Sequence, residues 1–154
     1  MGLRVVAVDV ADEKLALARE VGADIVVNEK QQDAVQQIQN QIGGAHAAVV
    51  TATSTQAFEQ AIGPVRPAGV ATYIGLPGGT SDIVRASIMT IVNGELSIRG
   101  SNVGTRQDLD EAVGFAARGL VKSRNRFGKL EDINAIFAEM KAGRITGRMV
   151  LRIS

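Results

Sequence analysis

Short apolar runs alternate with amphipathic stretches along almost the whole chain, and this alternation predicts the fold. Leu3–Val10 (LRVVAVDV) is apolar on consecutive positions, as expected of a strand covered on both faces. Asp12–Val21 follows with Leu15, Ala18 and Val21 at helical spacing, Asp12 suited to its start and Gly22 to its end. Asp24–Asn28 predicts a second strand. Gln31–Ile42 predicts a polar helix whose apolar stripe is Ala34, Val35, Ile38 and Ile42, stopped by Gly43-Gly44. Ala45–Thr51 is a third strand. Thr53–Gln56 matches a capping box ahead of a helix over Thr55–Val65. Val70–Gly75 is a fourth strand, and Leu76-Pro77-Gly78-Gly79 breaks the pattern. Asp82–Arg85 is a short extended piece, Ser87–Val92 a short helix and Leu96–Gly100 a fifth strand. Thr105–Asp108 is a second capping-box signature, opening a helix to Arg118. Lys129–Ala142 is the last helix and Gly147–Ile153 the last strand.

Strands alternating with helices of this length imply βαβ units, right-handed connections and a mostly parallel sheet. The fold class is therefore α/β, doubly wound and Rossmann-like. No linker, low-complexity tract or internal repeat interrupts residues 1–154, which read as a single partial nucleotide-binding domain.

Composition narrows the partners. A formal net charge of +1 gives no bulk attraction for nucleic acid, and aromatics at 3% with no Trp argue against a stacking platform for single strands. No apolar run approaches the roughly 18 residues that span a bilayer, and Asp9, Asp12 and Glu13 interrupt any signal-peptide pattern, so no membrane partner and a cytoplasmic location are expected. The absence of Cys excludes disulfides and Cys-built zinc sites, and one histidine, His46, forms no His-rich metal centre.

Candidate chemistry lies beyond the carboxyl ends of the strands, where open α/β sheets bind ligands. Asp9 is foremost. An ionised acid at this strand end accepts hydrogen bonds from ribose hydroxyls and disfavours a 2′-phosphate, hence NAD over NADP. A helix-start acid interacting with the dipole is the competing reading for Asp9 taken alone. Lys14 reaches the same region from the first helical turn, although a solvated lysine is the commoner role. The fingerprint that accompanies such an acid lies about 20 residues before it, yet eight residues precede Asp9 and no GxGxxG occurs anywhere. The chain thus reads as beginning inside a nucleotide-binding motif. Thr51–Thr53, Gly75-Leu76 and Ser101–Val103 mark the other strand ends. His46 falls at the opposite end of its strand, Tyr73 inside an apolar run, and Ser54 lacks the surroundings of a nucleophile elbow. Arg144 and Arg148 are anion-binding candidates against a background of ordinary surface arginines.

Taken together, LRVVAVDVADEKLALAREVGAD, GGAHAAVVTA, YIGLPGG, IRGSNVGTRQDLDEA and GRITGRMVL resemble, in order, the C-terminal half of zinc-dependent alcohol dehydrogenases of the medium-chain dehydrogenase/reductase family, most like the bacterial NAD-dependent members. The resemblance implies that Asp9 and Lys14 hold the adenosine ribose. It implies that Ile74, Gly75 and Leu76 line the nicotinamide pocket, that Ser101 and Val103 hold the carboxamide through their backbones, and that Arg148 meets the pyrophosphate. Thr51 joins this cofactor set as a strand-end residue. Segments Gly79–Ser87 and Leu96–Gly100 correspond to a dimer interface, so a homo-oligomer through the Gly79–Gly100 region is expected.

The departures from the family pattern are equally informative. The zinc ligands, the proton relay and the glycine fingerprint have no counterpart here, so no catalytic or metal-binding residue is assigned. Asn102 stands where an apolar residue is usual, and Ser123–Gly128 is unusually basic for its loop. In the family fold a further strand lies between those bearing Asp9 and Thr51. Without it, either these strands close together or another chain fills the gap. The expectation is a cofactor-binding portion that is inactive alone, NAD binding weakened by the missing phosphate loop. A residual nucleotide-binding module or an oligomerisation module is the alternative.

Overall fold

The computed structural model describes residues 2–78 and 82–153. Seven strands and six α-helices alternate: β1 (Val6–Asp9), α1 (Asp12–Glu20), β2 (Ile25–Asn28), α2 (Ala34–Ile42), β3 (Ala45–Val50), α3 (Thr55–Gln60), β4 (Val65–Tyr73), α4 (Ile88–Asn93), β5 (Ser97–Gly100), α5 (Arg106–Ala117), β6 (Asn125–Lys129), α6 (Ile133–Lys141) and β7 (Arg148–Arg152). Every ladder is parallel: β1 with β2, β3 with β4 with β5, and β6 with β7. The α/β class and parallel pairing follow the sequence expectation. Two compact units divide the chain: residues 1–28 with 105–154, and residues 29–104.

In the first unit β1 is shorter at its start than the apolar run suggests. Val5 begins the pairing through its backbone, with its N–H donating to Asp24 Oδ2 (2.7 Å) and its carbonyl accepting from Asp24 N (2.9 Å). Leu3 lies outside, 75% exposed. α1 starts at Asp12 as expected, after Ala11, which offers no side-chain cap. The Asp12 carboxylate accepts from Nδ2 of the buried Asn28 (2.6 Å), tying the end of β2 to the first turn of α1. Leu15 and Val27 are the buried contacts of this part.

The C-terminal part contains a strand that the sequence pattern did not suggest. Asn125–Lys129 lies within the basic segment read as a loop, because NRFGK has one strong strand former and no alternation. Its pairing with β7 supplies what its local sequence lacks. Consequently the last helix starts later than expected. Lys129 ends β6, Leu130–Asp132 forms a 3-10 turn, and α6 begins at Ile133.

In the second unit β4 is central, and it is longer than Val70–Gly75. The helix expected over Thr55–Val65 ends at Gln60, and Val65 already pairs with Ala45. Ser54 caps α3 by accepting from Ala57 N (3.3 Å), so the expected capping box on Thr53 and Gln56 does not form. Asp82–Arg85 joins no ladder; within the Leu76–Gly79 break, Gly79 lies outside the described residues. Ile62, Val65 and Ala71 form the core, with Ala48, Tyr73 and Leu96 packed against it. Glu29 adds a polar staple: its two carboxylate oxygens accept from Ala34 N (3.0 Å) and Gln60 Nε2 (2.8 Å), joining the start of α2 to the end of α3.

Phe58 and Tyr73 meet edge to face, with ring centroids 5.0 Å apart. The Tyr73 hydroxyl donates to the Phe58 carbonyl (3.0 Å), one of the acceptors that the short helix α3 leaves without an intrahelical partner. Burial pushes the Tyr73 phenol up from its ordinary value, which keeps it a neutral donor. Tyr73→Phe leaves the ring contact and orphans that carbonyl. A loss of about 1 kcal/mol is expected, read as a lower urea midpoint at unchanged slope. An unchanged midpoint would show that the bond contributes nothing.

The capping box at Thr105–Asp108 forms as its sequence predicts. Asp108 N donates to Thr105 Oγ1 (3.2 Å), and Asp108 Oδ2 accepts from Thr105 N (2.6 Å) and Oγ1 (2.7 Å). The backbone bond first, and the hydroxyl bond second, hold the Asp108 carboxyl below its usual range. A depressed native value means stabilisation that is full above the unfolded value, about 3.9, and is lost as pH falls through the native one. The stability gap between the native chain and Asp108→Asn should therefore be constant near neutrality and shrink in acid below that value. A gap independent of pH in denaturation curves would refute this.

Candidate cofactor site

The residues singled out in sequence sit at strand ends, Lys14 and Arg148 excepted, and fall into the two units. In the first unit, Asp9 ends β1 and is half-buried. Its Oδ1 accepts from Val10 N (2.7 Å) and Ala11 N (3.0 Å). Two amides on one oxygen fix the carboxylate's orientation, and Oδ2 accepts no hydrogen bond among the described residues. An anionic acceptor held in this way suits a pair of vicinal hydroxyls, each of which must donate. Lys14, half-buried, lies in the first turn of α1.

Arg148 opens β7 rather than ending a strand, and its backbone N–H donates to the Arg124 carbonyl (2.8 Å). Three other arginines of this unit are engaged: Arg124 pairs with Glu20, Arg126 lies 3.8 Å from Glu139, and the Arg152 guanidinium sits 4.7 Å over the Phe127 ring, whereas Arg144, the other anion-binding candidate, has no acidic partner among the described residues. The exposed Arg148 side chain has no acidic partner among the described residues, which leaves its guanidinium available to an anion.

The second unit gathers the remaining candidates at the carboxyl ends of β3, β4 and β5. Ile74 N and Gly75 N both donate to the Val50 carbonyl (2.9 and 3.0 Å), and Ser101 N donates to the Tyr73 carbonyl (2.9 Å). These bonds extend the ladders past the regular strands and bring Ile74–Leu76 beside Ser101. Gly75 is required there, because a Cβ would stand 2.1 Å from the Ala52 carbonyl oxygen. Thr51 is exposed just after β3.

A pocket of about 500 Å³ opens at this edge, a size typical of small-molecule sites. Ile74, Gly75, Leu76 and Ser101 line it, as the resemblance implies for a nicotinamide pocket. Phe58, Asp82, Val84 and Asn102 line it too and were not assigned to the site from sequence. The unusual polar character of Asn102 was the one available signal. Phe58 was hidden because its helix follows a different strand, and Asp82 because it belongs to no regular element.

Val103 follows the pocket with φ of 46° and 89% exposure. A β-branched residue in the left-handed region is strained, at a cost of about 1–3 kcal/mol. Solvent-exposed packing gives no return for this strain, and its position is the one that the resemblance assigns to carboxamide binding through the backbone.

In the first unit an oriented carboxylate suits vicinal hydroxyls and an exposed guanidinium suits an anion; in the second, a largely apolar pocket with a polar edge suits a small ring.

A family model described as zinc-binding dehydrogenase matches residues 1–118. An alcohol dehydrogenase of Geobacillus stearothermophilus is 46% identical over 153 residues, covering 99% of this chain and 44% of that protein. One from Rhizobium meliloti is 44% identical, again covering 44% of the relative. Among solved structures, the alcohol dehydrogenase of Aeropyrum pernix superposes with a TM-score of 0.88 at 29% identity, over 97% of this chain and 42% of that one. An NAD-dependent alcohol dehydrogenase does so with a TM-score of 0.87 at 25% identity, over 99% and 45%. The chain spans less than half the length of these relatives, and within that span it belongs to the zinc-binding dehydrogenase family.

Proposed function

We propose that this chain is the C-terminal cofactor-binding portion of a zinc-dependent alcohol dehydrogenase and binds NAD. The parent reaction is hydride transfer between an alcohol and NAD, with zinc polarising the substrate oxygen. The observation that carries this reading is the Asp9 carboxylate at the end of β1, oriented by the Val10 and Ala11 amides with one oxygen left to accept. It is the acceptor an adenosine ribose needs, and its charge disfavours a 2′-phosphate.

The same reading assigns no catalytic role to these residues. The sequence has no Cys and a single His, which leaves no Cys/His ligand set for a catalytic zinc. The chain by itself binds dinucleotide and does not turn over alcohol. Binding is also weak, because the sequence contains no GxGxxG to present backbone amides to the pyrophosphate. Isothermal titration with NAD tests the proposal. Saturable binding is expected at submillimolar to millimolar concentration, weakened at least tenfold in Asp9→Ala, since a charged hydrogen bond contributes about 1.5–3 kcal/mol. No saturable binding, or binding indifferent to Asp9, sinks the reading. Alcohol-dependent NADH formation without zinc, at rates typical of whole dehydrogenases, refutes the inactivity.

A second reading concerns assembly. β5 is the edge of its three-stranded sheet, and all its residues are exposed. Beside it in sequence, Ile88, Met89 and Val92 of α4 are 77%, 74% and 65% exposed. An open strand edge with exposed apolar residues favours pairing with a second copy. The expected homo-oligomer uses the Gly79–Gly100 region, of which residues 79–81 lie outside the described residues. Light scattering at high concentration should give a mass above the monomer, reduced by Ile98→Lys. A strict monomer rejects this surface.

A further inference from the structure

β6 and β7 form a sheet with one covered face and one open face. Gly128, Met149 and Leu151 share the covered face: a Cβ on Gly128 would stand 2.8 Å from Ile136 of α6, and 3.6 and 3.7 Å from Met149 and Leu151. Ile136 is buried, and Arg126 approaches Glu139 of α6 from the same side. Alternation along the strands puts Asn125, Phe127 and Lys129 on the other face, and the register sets them beside Arg148, Val150 and Arg152 in turn. All six of these residues are exposed.

Three of the six are cations, and neither strand contains an acid. Lys129, Arg148 and Arg152 form no ion pair among the described residues. Arg148 and Arg152 lie about 13 Å apart along β7, at about 3.3 Å per residue. Between these charged ends lies the apolar pair of Phe127 and Val150. The charge extends beyond the face: residues 122–152 hold eight Lys and Arg against three acids, in a chain with 17 against 16 overall. The near-neutral total, which gave no reason to expect nucleic acid, averages over this segment.

A polyanion matches such a face, and the Phe127 ring narrows which one. The Arg152 guanidinium lies over that ring at 4.7 Å, so the ring is not free to enter a lipid layer. A planar cation held on a ring offers its outer surface to another flat group. A nucleic acid supplies flat bases between its phosphates, whereas an acidic peptide supplies carboxylates alone. We propose that the open face of β6 and β7 binds single-stranded nucleic acid, with Lys129, Arg148 and Arg152 meeting phosphates and Arg152 on Phe127 stacking a base. This surface does not depend on the cofactor reading, with which it shares Arg148 alone.

Fluorescence anisotropy of a labelled oligouridylate of roughly ten nucleotides, titrated with the full chain, tests this. Saturable binding is expected at low salt. Three phosphate contacts give a slope of about −2 in log affinity against log salt, hence about twentyfold weaker binding at about 200 mM than at about 50 mM. Lys129→Gln should lower the affinity and reduce the slope by about 0.7. Arg152→Lys keeps the charge and loses the flat guanidinium, so it should weaken binding severalfold at unchanged slope. Both side chains are exposed, so circular dichroism should show the fold intact in both variants.

No saturable binding at low salt overturns the proposal, as does binding indifferent to both substitutions. Displacement of the oligonucleotide by polyglutamate of equal charge would assign the face to an acidic peptide instead. Tighter binding to phosphatidylserine vesicles than to the oligonucleotide would assign it to a membrane surface. Either result likewise overturns the nucleic-acid reading.

Discussion

The register of β4 between its two neighbours is the constraint on which the pocket depends. Val70 to Tyr73 pair with Ala47 to Val50 on one side and with Ser97 to Gly100 on the other. Parallel pairing sends all three strands in one direction, so their carboxyl ends emerge at one edge. The amides of Ile74, Gly75 and Ser101 then prolong the ladders by one step and fix the pocket walls. A slip of one residue in β4 would reverse its side chains, moving Ala71 out of the core and Tyr73 away from Phe58. Glycines protect this register. Gly69 and Gly75 stand where an added Cβ would come within 2.4 Å of Val65 and 2.1 Å of Ala52 respectively.

No comparable constraint secures the outer edges. Among the described residues β1 has a ladder on one side, with β2, in the first unit, and β3 on one side, with β4, in the second. Val8 on β1 and Val49 on β3 remain 46% and 61% exposed. Backbone groups on an open edge are tolerable in water and costly when buried without partners.

How much of this was legible in sequence depended on whether a local interaction or a distant one decided the element. The Thr105–Asp108 box is complete within four residues, and it forms as read. The length of α3 is decided elsewhere: Val65 leaves the helical pattern because Ala45 offers it a ladder. Likewise β6 exists because β7 pairs with it, although its own sequence argues for a loop. The site follows the same division. Strand-end positions such as Asp9, Gly75 and Ser101 could be read from the alternation of elements alone. Phe58 and Asp82 reach the pocket from segments that sequence periodicity cannot bring beside β5. Glu29, which joins two helices through one carboxylate, carries no local signature at all.

Val103 shows where stability and function part. Nothing packs against a residue 89% exposed, so burial cannot explain why it holds φ of 46°. A glycine would adopt that conformation without steric strain, and glycine follows immediately at position 104. Strain without local compensation is characteristic of segments whose backbone groups are aimed at a ligand. On this argument the conformation is already set before any ring arrives, and ordering of this segment on binding is correspondingly small. Preorganised amides here would partly offset the weak phosphate binding expected of a chain without a glycine-rich loop, although they cannot replace the charge neutralisation such a loop provides.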